Sequence, residues 1–271
     1  MSRRTETYLH GHHDSVLRSH RWRTAENSAG YLLPHLRAYG TDARVLDVGC
    51  GPGTITADLA ALVPEGDVTG IDAAADVLAL ARTEADRRGL GNVAFAAGDV
   101  YRLDFSGGTF DVVHAHQVLQ HLSDPAGALA EMRRVCRPGG LIAARDGDYA
   151  GMFWHPADAE LTEWQDLYRK VARALGGEPD AGRWMLAWAH AAEFTEVKAS
   201  ASAWCYAGPD RDWWGASWAQ RLTESPFGDR AVEHGLATRQ DLERLARAWR
   251  RWAASEDAWF LIPHGEILCR A

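Results

Sequence analysis

The segment Val45-Leu46-Asp47-Val48-Gly49-Cys50-Gly51-Pro52-Gly53-Thr54 narrows the choice of fold more than any other stretch of the chain. A short apolar run reads as a buried strand. The glycines behind it allow a tight turn and a close approach of backbone to a ligand, where a Cβ would clash. A helix opens at Thr54. The spacing is G-x-G-x-G and no G-K-[ST] follows, so the main phosphate anchor of a nucleoside triphosphate site is missing.

The same strand–helix alternation continues to residue 150. Strands are predicted at 43–48, 68–71, 93–96, 110–115 and 141–144, with helices at 54–62, 75–88 and 126–136 between them. Short apolar strands alternating with amphipathic helices argue a parallel sheet covered on both faces. Before this core, residues 26–36 carry Ala29, Leu32, Leu33 and Leu36 at helical spacing. After it, the composition shifts: eleven of the twelve tryptophans lie beyond residue 150. Helices are predicted at 157–175, 183–193 and 239–255, and strands at 197–206 and 259–269. No clean linker divides the 271 residues. The reading is one structural domain with a helical lid segment at 1–40, a ligand-binding core at 41–150 and, at 151–271, a completion of the sheet with a Trp-rich helical substrate lid.

Composition removes several function classes. The net charge is −8, and lysine occurs only at Lys170 and Lys198, which disfavours nucleic acid binding driven by phosphate contacts. Cys50, Cys136, Cys205 and Cys269 form no C-x-x-C pair and read as reduced thiols. The N-terminal histidines His10, His12 and His13 have no matching acid or cysteine spacing, so no metal site is assigned. No apolar run approaches the roughly 20 residues of a membrane helix, and the first residues lack the apolar core of a secretory signal. The expectation is a soluble cytoplasmic protein, with a homodimer left open.

Two further acids extend the glycine loop into a pattern. Asp72 ends the second strand, where a carboxylate can accept both hydroxyls of a ribose; the alternative is a helix cap. Asp99 follows the third strand in Ala97-Gly98-Asp99-Val100, where a side chain and a backbone N–H can reach an adenine; the alternative is a bare turn.

With VLDVGCGPG at 45–53, VTGIDAAADVL at 68–78, AAGDV at 96–100, FDVVHAHQVLQHLSDP at 110–125 and RVCRPGGLIAARD at 134–146, the chain resembles the class I S-adenosylmethionine (SAM)-dependent methyltransferases, nearest to the UbiE-like small-molecule type. The resemblance covers residues 44–146. It implies an α/β Rossmann-like sheet of seven strands in the order 3-2-1-4-5-7-6, the seventh antiparallel, with helices on both faces. It implies SAM as cofactor and S-adenosylhomocysteine (SAH) as product. Backbone at Gly49, Gly51 and Gly53, beside Cys50 and Thr54, would hold the methionine part, and Asp47 its amino group or the loop backbone. Asp72 would hold the ribose with Ala73 near the adenine, and Gly98, Asp99 and Val100 the adenine. His116 would stand near the methionine part of SAM or the sulfonium, with Gln117 beside it at the cofactor edge. Arg23, with Arg18 as alternate, would pair with the SAM carboxylate from the N-terminal segment.

The resemblance does not reach the substrate. Methyl transfer is an in-line displacement that needs the acceptor about 3–3.5 Å from the methyl carbon, and no covalent nucleophile. A phenol or alcohol acceptor would benefit from a base, for which His121, His20 and Asp148 are the candidates, although His121 reads as a packing residue too. Asp146, Asp148 and Tyr149 are placed to face an acceptor. Trp154, Trp204, Trp213, Trp214 and Trp218 are offered as pocket walls. Trp164, Trp188, Trp249 and Trp252 are assigned to packing. The substrate class is a small, partly apolar metabolite methylated at O, N or C. A SAM-binding fold without methyl transfer, or an NAD-type oxidoreductase, are the competing readings.

Overall fold

The computed structural model describes residues 14–271. Strands β1 (Arg44–Val48), β2 (Asp67–Asp72), β3 (Val93–Ala97), β4 (Phe110–His116) and β5 (Cys136–Gly147) form a parallel array in the order 3-2-1-4-5. β8 (Trp259–Arg270) joins β5 antiparallel, and β7 (Val197–Ala207) pairs antiparallel along the other edge of β8. β8 and β7 thus take the places expected of the seventh and sixth strands. The sheet has eight strands rather than seven, because the three-residue β6 (Phe153–His155) pairs with Trp259–Leu261. The chain leaves β5 at Gly147, turns through a 3-10 turn at Tyr149–Gly151 and rejoins the same edge of β8. Three residues are too few for an alternating pattern to register.

Each strand alternates sides, so neighbouring apolar residues supply two separate cores. Val45, Val112, Leu141 and Leu268 face α2 (Ala25–Ala29), α3 (Leu33–Tyr39) and α4 (Thr54–Leu62). Leu46, Val113, Ile142 and Ile267 face α6 (Pro125–Val135) and α8 (Met185–Ala191). Between β2 and β3 lies α5 (Val77–Arg87). The single helix expected over 26–36 is two. Thr24 and Asn27 close a capping box on α2, and Pro34, which lacks an N–H and cannot continue a helix, instead stands at the start of α3.

The tryptophans form a third core at the β6–β8 end. α7 (Ala159–Ala174), α9 (Pro209–Glu224), α10 (Pro226–Glu233) and α11 (Arg239–Ala254) build it with the strands. Trp164 meets Trp218 and Trp249 edge-on at 4.5 and 4.7 Å, and Tyr206 stacks on Trp214 at 3.9 Å. Trp214 and Trp218, offered as pocket walls, are therefore core residues, as is Trp213, whose indole N–H donates to Asp210. Trp154 stacks on Phe260 at 5.6 Å. Of those five, Trp204 alone stands among polar groups at the sheet's carboxyl edge. α9 and α10 lie where no helix was predicted, and Pro209 and Pro226 occupy their first turns.

Candidate functional site

The carboxyl ends of β1 to β5 share one edge, and the glycine loop lies on it. Gly49 and Gly53 have φ of +68° and +79°, and neither could carry a side chain. A Cβ on Gly49 would lie 2.4 Å from Val118 Cγ2, and one on Gly53 2.8 Å from Ala81 Cβ. Gly51 is more open, with His20 Nδ1 3.8 Å from the position of a Cβ. The Cys50 N–H donates to the Ile71 carbonyl at 2.9 Å, tying the loop to β2. Burial, with Asp47 and Asp72 adding, raises the Cys50 pKa, so it stays a thiol.

Asp72 joins the loop to the next strand tip. Its carboxylate accepts from the Gly51 N–H at 2.9 Å and from the Ala74 N–H at 2.9 Å. It does not cap the following helix, which begins after Asp76. The Gly98 N–H donates to the Asp72 carbonyl at 3.1 Å, and the Asp99 carboxylate accepts from the Tyr101 N–H at 2.9 Å. Glycine loop, Asp72 and Gly98–Asp99 thus follow one another along one rim, with Ala73 exposed and Val100 half-buried beside them.

The N-terminal segment covers this rim. The Thr54 hydroxyl donates to the His20 carbonyl at 3.2 Å, and the Ala25 N–H to the Asp58 carboxylate at 2.7 Å. Trp22 packs on Trp204, Tyr206 and Trp213 at 5.5, 5.1 and 6.0 Å, and the Trp204 indole N–H donates to the Asn27 carbonyl at 2.7 Å. The Arg23 guanidinium lies over the Trp204 ring at 5.2 Å, whereas Arg18 is exposed beside Trp213. His20 and Arg23 are therefore drawn to the rim from α1 (Asp14–Arg21) and the turn after it. His10, His12 and His13 lie outside the described residues.

Several expectations are corrected. Asp47 was expected to reach the amino group of a ligand or to orient the loop backbone, and the structure favours the second. Asp47 is buried, and its two oxygens are engaged by His114 Nδ1 at 2.7 Å and the Thr56 hydroxyl at 2.5 Å, so it anchors β1 to β4 and α4. Asp148 was a candidate base. It holds Arg183 through two bonds of 2.6 and 2.7 Å and caps Gly151 at 3.0 Å. Asp146 is buried, which pushes its pKa up to about 7, and accepts from the Leu119 and Gln120 N–H groups at 3.3 and 3.1 Å. Tyr149 stacks on Tyr168 at 4.2 Å inside the aromatic core. Asp146 lies within β5, where strand pairing with β8 fixes its side, and Asp148 and Tyr149 fall in the turn that leads from β5 to β6.

His121 closes a 3-10 turn at Leu119–His121 and lines a cavity of about 10 Å³ with Tyr168, Leu175 and Pro179. Burial holds its pKa down to about 4. That leaves it neutral, but among residues of α7 and the turn after it rather than the glycine loop. His116, at the tip of β4, is buried, and burial followed by Arg145 holds its pKa well below the usual histidine value. Gln117 follows with φ +53°, one of two non-glycine residues at positive φ among the described residues. Its N–H donates to the Arg145 carbonyl at 2.8 Å. His264 Nδ1 lies 3.0 Å from the Ile262 carbonyl, which can only accept, so His264 Nε2 is the acceptor for the Gln117 amide at 3.0 Å.

The sequence reading missed a polar row beside His116. In register across the sheet stand His116, Arg145, Glu266 and Ser200, one from each of β4, β5, β8 and β7. No spacing in the chain announces it, because its members are spread over more than 140 residues and meet only through strand pairing.

Comparison with known proteins shows the family and the fold. A family profile described as a methyltransferase domain matches residues 40–214. An uncharacterised methyltransferase of Schizosaccharomyces pombe is 34% identical over 96% of this chain and 95% of its own. A probable methyltransferase, LtbC, of Aspergillus luteorubrus is 31% identical over 97% of both chains. Among solved structures, the YcgJ protein of Bacillus subtilis superposes with a TM-score of 0.56 at 19% identity, covering 89% of this chain and 98% of that one, which bears on fold alone. The loop, the rim acids, the sheet order and these full-length likenesses identify the chain as a member of the class I SAM-dependent methyltransferases.

Proposed function

We propose that the chain methylates an O, N or C atom of a small, partly apolar metabolite in the cytoplasm, by in-line displacement. The observation that carries this is the continuous rim: Gly51 bonded to Asp72, and Asp72 bonded to Gly98, so that loop, ribose acid and adenine edge stand in sequence. The residues fit the cofactor. The Gly51 backbone is accessible for close approach. Asp72 gives two backbone N–H groups one bond each, and an ionised carboxylate has about four acceptor positions, so two hydroxyls can still be held.

SAM supplies an electrophilic methyl carbon on a sulfonium, a leaving group that needs no protonation. In this reading Gly49, Cys50, Gly51, Gly53 and Thr54 cradle its methionine part, with Arg23 on the carboxylate. Asp72 and Ala73 hold the ribose, and Gly98, Asp99 and Val100 the adenine. His116 and Gln117 border the reacting end. Asp47 keeps the loop in place. Trp22 and Trp204 exclude water. His20, above the glycine loop, is the base candidate with the best position, since Asp148 is committed to Arg183 and His121 to the α7 side.

Isothermal titration tests the reading. SAH should bind, and Asp72→Ala should weaken it at least tenfold. Incubation of the protein with SAM and a metabolite extract should yield SAH and a product heavier by one methyl. Folded protein that ignores SAH would end the proposal; binding without turnover would end methyl transfer.

A further inference from the structure

We infer that Arg145, with the His116 ring beside it and Tyr31 packed on the same face of the sheet, is a receptor for a carboxylate carried by the methyl acceptor. This rests on the methyltransferase reading and deepens it.

Arg145 is 1% exposed. Its Nε donates to the Ser202 hydroxyl at 3.0 Å and lies 3.3 Å from Glu266 Oε1. Glu266 in turn accepts from the hydroxyls of Ser200 and Ser202. One flank of the guanidinium is thus backed by a carboxylate whose charge is shared with two hydroxyls. The other end is unspent: neither Nη1 nor Nη2 has a protein partner. The Tyr31 hydroxyl and both ring nitrogens of His116 are also buried without one. Trp204 forms the wall, 4.9 Å from the Arg145 guanidinium and 5.4 Å from the His116 ring.

A buried donor without a partner costs about 1–3 kcal/mol, and more when charged. Native interiors seldom hold several in one place. The terminal fork of an arginine matches a carboxylate through two parallel bonds. Burial lowers the Arg145 pKa only to about 10, so the fork carries its charge at neutral pH. It also raises the Tyr31 pKa, which keeps that hydroxyl a donor.

Position assigns the carboxylate to the acceptor. The glycine loop follows β1, His116 ends β4, and Arg145 stands opposite His116 on β5. Strands are about 4.8 Å apart. Arg145 therefore lies about 5 Å beyond His116 and about 10 Å beyond the strand that feeds the glycine loop, on the side away from Asp72 and Asp99. The only other source of the same chemistry is the methionine carboxylate of the cofactor.

The test uses the full chain saturated with SAH and two probes of one shape, benzoate and benzamide, titrated by calorimetry. Wild type should bind benzoate at least tenfold tighter than benzamide. Arg145→Gln should bring the two within about twofold while SAH affinity stays within about twofold. Should Arg145→Gln not fold, because Glu266 loses its cation, Arg145→Gln with Glu266→Gln removes both charges together. Tyr31→Phe should reduce the benzoate preference severalfold. Equal or no binding of the two probes by wild type, or a preference that survives both arginine variants, overturns the inference. Variants that lose SAH affinity tenfold yet keep the benzoate preference assign Arg145 to the cofactor and overturn it too. Absence of SAH binding to wild type is a separate readout, and it removes the methyltransferase reading and this inference together.

Discussion

Gly49→Ala separates the two reasons a glycine can be required. At Gly49 the backbone has φ +68° and a Cβ would stand 2.4 Å from Val118 Cγ2. Gly89 has nearly the same φ, +66°, with nothing within 4 Å of its Cβ position. Gly89→Ala therefore reports backbone strain alone, about 1–2 kcal/mol. Gly49→Ala adds the cost of forcing a methyl into a packed contact, about 1–3 kcal/mol, for a total of about 2–5 kcal/mol. Val118→Ala removes the obstructing methyls, leaving Val118 Cβ 3.6 Å from the new methyl, an ordinary contact. In urea denaturation, Val118→Ala should recover about 1–3 kcal/mol of the Gly49→Ala loss, and the residual should match the Gly89→Ala value. SAH affinity should follow the same order, since the loop must shift to admit the methyl. Equal losses for Gly49→Ala and Gly89→Ala, or strict additivity of Gly49→Ala with Val118→Ala, would refute the packing argument.

Asp72→Ala removes two charge-assisted bonds to backbone, each worth about 1.5–3 kcal/mol, and should cost at least tenfold in SAH affinity by calorimetry. Asp148→Asn should leave turnover within about twofold and lower stability by only about 1 kcal/mol, because its partner Arg183 is half-exposed; a large loss of turnover would reinstate it as a base. Trp218→Ala, in the middle of the aromatic core, should cost about 3–5 kcal/mol in denaturant midpoint analysis without changing the SAH dissociation constant in the protein that remains folded. Stability should fall steeply as pH drops from 6.5 toward 4. His121 is depressed from 6.5 to about 4, and His116 and His264 are also well below 6.5. Protons then bind the unfolded chain first, and His121 alone accounts for about 3 kcal/mol. Asp146, raised from 3.8 to about 7, acts in the opposite sense, its contribution present at low pH and lost as pH rises through 7. Three histidines against one carboxyl make acid the destabilising side; a flat profile between pH 6.5 and 4.5 would show the histidines are not held neutral.

The parallel half of the sheet was legible because each of its parts is local. A strand, a turn and a helix of about 20–25 residues carry their own pattern, and the predicted 54–62 helix coincides with α4. The Trp-rich half resisted because its helices are patterned for a core they build with one another. α9 places Trp213, Trp214, Trp218 and Leu222 in that core. Aromatic residues at those positions suit a pocket wall as well as packing, and only the rings arriving from α7 and α11 decide between the two. The same applies to Asp47. Its placement before the glycine turn suggests a ligand contact, but His114 from β4, 67 residues away, takes one oxygen.

The candidate site divides along the same line. The proposed cofactor side lies in β1–β3 and the turns that follow, where each group sits within a few residues of a strand end, so residue type and spacing point to it. The proposed acceptor side is assembled by strand register. His116, Arg145, Glu266 and Ser200 become one row only because β5 pairs with β4 in parallel and with β8 antiparallel, while β7 pairs along the far edge of β8. A one-residue slip in any of these pairings would turn its member to the opposite face, into the apolar layer under α6 and α8. The cofactor residues proposed above are thus written in local motifs, whereas the polar row proposed for the acceptor is written in the register of the antiparallel extension. If Arg145 receives the acceptor as proposed, a relative with another acceptor should differ first at Arg145 and its partners, with Asp72 and the glycine loop unchanged.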